Sequence, residues 1–459
     1  MKPKTTLILL LVFAVLLAAV LLIESKSKTR KEKEETRKKI IDLASADVEK
    51  IILKNEGGTI AFKKDDKGEW LIIEPLEAKA DSSEVSRLAE DFSSLKFERV
   101  VEADAVDPSK YEIPKKELTL WYKGRDQPVR LLIGMENPLD NTLFAKREDD
   151  KRIVLLAGYL KSNLEKKTFD FRQKDIFKFE PEEVGSISLK AKDISWKAQK
   201  NEADWFLESP VKALAKKNGV DDVLRALSNL RAKEFVAEQK QDAEIIQFGL
   251  KEPEYSVTLN LPAKSQEIVF SLHKQDETVY ATTSVSPKIV TAEGQVLTDI
   301  EKKAEDLREK QVVVFNSWEA SKVRIKKGEF TLTAAKDKDN KWLFEGAAKD
   351  EADGSRVETF IRKIESLEAA EFIDSPADLQ TYGLAQPQAE ITVWTKDGET
   401  EKEVQVLVGT EDPEKKQVVL KNPKLDYLFR VDAAFLNELP KEAKDWKPAA
   451  PADKKEVSQ

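Results

Sequence analysis

The sequence predicts an α+β fold in which an N-terminal transmembrane helix precedes three repeated modules. Each module is mostly antiparallel sheet with one packed amphipathic helix. Three observations predict it: tryptophans recurring at near-constant spacing, an apolar stripe of helical period after each, and alternating strand-like runs after each stripe.

The tryptophans set the period. Trp70 begins WLIIEP, Trp205 begins WFLESP and Trp342 begins WLFEG, so the separations are 135 and 137 residues. A proline follows five residues later in the first two copies (Pro75, Pro210) and is missing from the third, which has Ala347. The helix of the first copy reads Val85, Leu88, Phe92, Leu95, and that of the second Val223, Leu224, Leu227, Leu230. The third reads Val357, Phe360, Ile361, Ile364, Leu367. Such a stripe buries one helix face on a sheet. Asp81 with Glu84, and Ser355 with Glu358, have the spacing of capping boxes at the helix starts.

A turn comes next: Tyr111-Glu112-Ile113, Phe248-Gly249-Leu250 and Tyr382-Gly383-Leu384, with Pro253 and Pro387 closing the later two. Glycine there takes a positive φ without a Cβ clash, so Glu112 predicts a degenerate turn in the first copy. Strands alternating apolar and polar follow, as LTLWYK, YSVTLNL and EITVWTK, which is the pattern of antiparallel sheet with one wet face. The copies close around Phe171-Arg172, Leu307-Arg308 and Asp445-Trp446. Domain boundaries are expected at 1–24 (anchor), 25–45 (charged stalk), 46–179, 180–318 and 319–447 (modules), and 448–459 (disordered tail).

Thr5 to Ile23 is a run of 19 residues without a charge. As a helix it would rise ~28 Å, close to the hydrocarbon thickness of a bilayer. It exceeds the apolar core of a signal peptide, and Glu24-Ser25-Lys26 offers no small-residue cleavage site. The basic residues after it favour a cytoplasmic carboxyl side, whereas a signal-anchor with a short basic head exports its carboxyl side. Charge alone leaves both orientations open.

The chain of 459 residues has 77 basic and 85 acidic side chains, a net charge of -8, which argues against nucleic acid as a partner. Without cysteine there is no disulfide, thiolate nucleophile or cysteine zinc site, and the lone His273 cannot make a convincing transition-metal site. No phosphate-binding glycine loop and no G-x-S-x-G elbow occurs, so the chain is not itself a transporter ATPase or a serine hydrolase of that type.

The landmarks resemble the domain of unknown function 4340 family of bacteria. They are the run from Trp70 to Pro75, Ala80-Asp81, the turn from Tyr382 to Pro387 and Leu307-Arg308, with departures at Glu112 and Ala347. The resemblance covers almost the whole region after the anchor. It implies a single-pass inner-membrane protein whose modules face the periplasm. It also implies a role beside ABC transporter components of the gliding-motility or auxiliary type, and it implies no catalytic residue.

Each repeated residue has a structural use as well as a chemical one. Asp81, Asp221 and Asp353 are expected at helix entries rather than as acid/base or metal carboxylates. Trp70, Trp205 and Trp342 are expected in cores. The turn aromatics are expected to cap a sheet edge. Arg172 and Arg308 are expected in ion pairs, and His273 on the wet side of a strand. Expected therefore are no catalytic, cofactor or metal residue, no cofactor and no enzyme activity. The leading function is an envelope scaffold or accessory subunit for an ABC-type complex. The alternatives are a polysaccharide or peptidoglycan binding module, with Trp121, Trp196 or Trp394 exposed in a groove, and a hydrolase built on scattered carboxylates.

Overall fold

The computed structural model describes residues 38–346, 350–398 and 400–448. The apolar run at 5–23, nearly all of the 448–459 tail, and Ala347 lie outside them, as does most of the stalk. Among the described residues no helix is long and apolar enough to cross a membrane.

Three antiparallel sheets follow one another along the chain. The first contains β1 (Val48–Asn55), β2 (Gly58–Lys64), β3 (Trp70–Glu74), β4 (Ala78–Lys79), β5 (Arg99–Glu102), β6 (Lys116–Tyr122), β7 (Val129–Glu136), β8 (Leu143–Arg147) and β9 (Ile153–Leu156). Its strand order is β4-β3-β2-β1-β6-β7-β8-β9-β5. The second contains β10 (Ser186–Ala191), β11 (Ser195–Asn201), β12 (Asp204–Ser209), β13 (Ala213–Leu214), β14 (Glu234–Ala237), β15 (Tyr255–Leu261), β16 (Gln266–Gln275), β17 (Thr278–Thr283) and β18 (Ile289–Ala292). It repeats the order strand for strand, as β13-β12-β11-β10-β15-β16-β17-β18-β14. The third contains β19 (Ala320–Lys327), β20 (Phe330–Lys336), β21 (Trp342–Phe344), β22 (Glu371–Ile373), β23 (Ala389–Asp397), β24 (Thr400–Asp412), β25 (Gln417–Lys421) and β26 (Leu428–Asp432). It repeats the order again without the short outermost strand, whose place is kept by a single bridge between Leu343 and Glu351.

Each sheet carries one long helix: α1 (Ser82–Ser93), α2 (Lys217–Ser228) and α3 (Gly354–Glu365). The stripes Val85, Leu88, Phe92; Val223, Leu224, Leu227; and Val357, Phe360, Ile361, Ile364 are all buried, as their spacing demands. Alternation along the strands sends a second set of residues to the far face. There the turn segments build a smaller core: Ile113, Phe144, Ile153 and Leu155 in the first module, Leu250 and Ile289 in the second, Leu384, Val419 and Leu428 in the third.

The chain separates into two compact units, one ending at Lys174 and the other beginning at Asp175. The break falls five residues before the expected 179/180 boundary. The second unit holds two sheets, and one continuous hydrophobic core runs through both.

The turns correct one expectation. Glu112 adopts the left-handed conformation at φ 55°, the same region as Gly249 at 69° and Gly383 at 68°. The first turn is therefore not degenerate; it keeps the shape with a residue that strains to do so. The difference lies in what sits behind it. A Cβ at Gly249 would come within 2.3 Å of His273 Cδ2, and one at Gly383 within 2.7 Å of Thr410 Cγ2, so only glycine fits in those two.

The turn also presses on the sheet. Tyr111 and Tyr382 bring their carbonyl oxygens to 2.1 and 2.2 Å from where a Cβ of Gly134 and Gly409 would be. Both glycines sit beside register shifts, between Ile133 and Glu136 and between Val408 and Glu411. In the second module His273 occupies the glycine position, after Leu272, and the pairing of β16 with β17 is regular. Gly409→Ala is expected to lower unfolding free energy by about 1–3 kcal/mol through overpacking. Gly294→Ala, with open space around its Cβ, serves as control and should change it little. Urea unfolding of the two variants checks this.

Candidate functional site

In each module the tryptophan, the alanine ten residues on, the residue after it and the late apolar residue meet at one place, the start of the long helix. The tryptophan stands at or next to the start of β3, β12 or β21, and its carbonyl accepts a hydrogen bond from an alanine N–H ten residues later. The pairs are Ala80 to Trp70 at 3.1 Å, Ala215 to Trp205 at 2.8 Å and Ala352 to Trp342 at 2.9 Å. The next residue donates its N–H to the late apolar residue: Asp81 to Phe171 at 2.8 Å, Lys216 to Leu307 at 2.7 Å and Asp353 to Trp446 at 2.7 Å. Phe171, Leu307 and Trp446 are buried there, with Phe62 edge-on to Phe171 and Phe360 tilted against Trp446.

The rings of Trp70, Trp205 and Trp342 are buried. A lysine on the neighbouring strand lies over each, Lys64 at 5.0 Å, Lys200 at 5.8 Å and Lys336 at 5.1 Å from the ring centroid. Each is the direct cross-strand partner of its tryptophan. Sequence reasoning missed these pairs, although a lysine five or six residues before every ruler tryptophan was there to be read. In the later two modules the indole N–H also donates to a carboxylate at 3.3 Å, Asp221 for Trp205 and Glu358 for Trp342.

That geometry re-sorts the aspartates. Asp81 and Asp353 are N-caps, accepting from Ser83 and Glu84 and from Ser355 and Arg356. Asp221 is not their counterpart: it lies inside α2, and the equivalent cap position holds Lys216, which makes no side-chain cap. Ser355 is likewise one residue inside α3 rather than its cap. Glu84, expected to reach back to its own helix start, takes Lys166 Nζ at 2.5 Å, and that hydrogen bond holds its carboxyl below the usual range.

The remaining candidates are also engaged. Tyr111 stacks on Phe144 at 4.6 Å and donates its hydroxyl to Glu102, and Phe248 stacks on Tyr280 at 4.6 Å. They pack on a sheet face rather than at an edge. Trp196 is buried and donates to the Lys302 carbonyl at 2.8 Å. Trp121 and Trp394 are half-buried, the first beneath Lys50 and the second beneath Lys322 and Arg324. His273 is half-buried, with Nδ1 enclosed. Arg172 and Arg308 are both buried, and Arg308 pairs with Asp374 at 2.5 Å. Two more donors, Lys116 and Tyr255, occupy equivalent positions and give their hydrogen bonds to equivalent acids, Glu165 and Glu301.

Among the described residues no three histidine or acidic side chains gather to hold a metal ion. Two of the concave features run beside the helices, and two others lie among strand ends and loops, at residues 124–130 with 147–149 and at residues 190–192 with 252–256. A groove of about 490 Å³ beside α3 is lined by Arg356, Lys363, Glu438 and Asp445, and one of about 630 Å³ beside α2 by Asp222, Arg225 and Asp299. Their charges meet one another, as in Lys363 with Glu438 and Arg225 with Asp222, and do not converge on the space between.

Three overlapping stretches, 70–244, 205–376 and 342–455, match the family described as a domain of unknown function (DUF4340). The chain belongs to this family. Each match begins at a ruler tryptophan. No curated protein matches the chain. Among solved structures, the DNA polymerase sliding clamp of Pseudomonas aeruginosa aligns at 7% identity over 85% of this chain and 93% of its own, with a TM-score of 0.17. The DNA polymerase III subunit beta of Borrelia burgdorferi aligns at 7% identity over 88% and 96%, with a TM-score of 0.16. At such scores nothing about this chain follows from either.

The cap positions make a direct prediction. Asp353→Ala should destabilise by about 0.5–2 kcal/mol, and Lys216→Asp, which supplies a missing cap, should stabilise by a similar amount. Thermal unfolding of the two variants measures both, and shifts of the same sign would break the assignment.

Proposed function

We propose that this DUF4340 protein is a non-enzymatic, membrane-anchored protein of the cell envelope. Residues 5–23 hold it in the inner membrane, and its modules face the periplasm as contact surfaces for an ABC-type transport or motility-related complex. The observation that carries the reading is the use to which repeated residues are put. Tryptophan, alanine, cap aspartate, turn glycine and late apolar residue all serve the packing of their own module, and what recurs three times is a frame. A repeated frame with varied surfaces suits a protein that is held against several partners. The apolar length of Thr5–Ile23 supports the anchor. The partner class rests on the family resemblance.

Two measurements test it. A reporter fused after residue 459 should be active only in a form that requires export; activity of a cytoplasmic reporter there would sink the proposed side of the membrane. Mild detergent purification of the native protein should bring transporter subunits with it, and their absence would end the accessory role while leaving the anchor standing.

A further inference from the structure

We infer that Arg308 couples the two C-terminal modules into one cooperatively unfolding body. Arg308 is the last landmark of the second module, and its backbone bridges to Ala215 at the start of α2. Its side chain leaves that module. The guanidinium centre lies 3.5 Å from the ring centroid of Phe372 and 4.6 Å from that of Tyr427, both in the third module, while Nη2 donates to Asp374 at 2.5 Å. Only 6% of the residue is exposed.

A planar cation packed against an edge-to-face pair of rings, whose centroids are 6.0 Å apart, is a contact that lysine reproduces poorly, because an ammonium has no flat face to lay on a ring. Nε is enclosed without a hydrogen-bond partner, so stacking and a single ion pair must offset the loss of water around this group. Removing the arginine therefore strips the junction of its central contact. It also leaves Tyr427, whose hydroxyl accepts from the Leu214 N–H at 3.3 Å, beside an empty space.

Backbone pairing around the clamp has the same direction. Gln311 bridges to Glu368, the Val312 N–H donates to the Leu367 carbonyl at 2.9 Å, and Asn422 Nδ2 donates to the Val312 carbonyl at 3.0 Å. The segment leaving Arg308 is thus tied to the third module before its sheet begins. The single core running through both sheets is the packing counterpart. At the equivalent position closing the third module stands Lys447, which pairs with Asp350 of its own module at 3.2 Å.

Hydrogen exchange of the full chain in rising urea tests the inference, read separately on peptides from β10–β18 and from β19–β26. The wild type should open both sets at one common midpoint. Arg308→Ala should separate the midpoints by roughly 0.5–1 M, the size expected from loss of a buried cation–aromatic contact at ordinary urea dependence. Arg308→Lys, which keeps the charge beside Asp374, should separate them in the same sense by less, and it decides the matter if the alanine variant does not fold. Separate midpoints in the wild type, or a common midpoint that only moves down in the variants, would overturn it.

Discussion

In each module a helix must be held on a sheet by a connection with little regular structure of its own. The hydrogen bond from the alanine N–H to the tryptophan carbonyl, with the cap residue's N–H bonded to the late apolar residue, does this in all three copies. Both bonds are backbone to backbone, so they survive changes of side chain. The side chains then supply burial: a large indole beneath, a phenylalanine, leucine or tryptophan alongside, and a lysine stem above. A backbone group left unbonded in that position would be costly, because water has no access to it. The register of helix against sheet follows from this junction, and with it the burial of the whole helical stripe.

The same junction shows what its residues are used for: the packing and hydrogen bonding of their own module. Catalytic groups need to converge on a space a substrate can enter, with at least one of them poised in an unusual protonation state. At the helix starts the converging groups are amides and apolar side chains, and the aspartates are occupied by backbone N–H groups. The two helix-side grooves are lined by charges that neutralise each other.

Much of this frame was legible in the sequence. The tryptophan spacing, the helical stripes and the alternating strands translate directly into burial, and burial is what periodicity reports. Three details were not legible, each for a physical reason. Asp221 stood five residues from the true cap position because aspartate serves two different neighbours, a backbone N–H at a cap and an indole N–H inside a helix. Ser355 and Asp353 both suit an N-cap, and only the backbone path chooses between them. Glu112 hid a turn that glycine marks elsewhere, because the clash that excludes a side chain comes from His273 or Thr410, more than twenty residues away. The junction clamp was the least legible of all. Arg308 looked like one charge among many, and its aromatic partners lie 64 and 119 residues further along the chain.

Duplication accounts for the clamp's position. A module that evolved to close on its own helix start already brings a late residue, and the one after it, to its boundary. Arg308, the residue after the second module's closure, is placed against β22, the outermost strand of the third sheet, at no further cost in backbone ordering. The late Leu307-Arg308 pair therefore divides its labour: the apolar residue completes one module and the arginine begins the next.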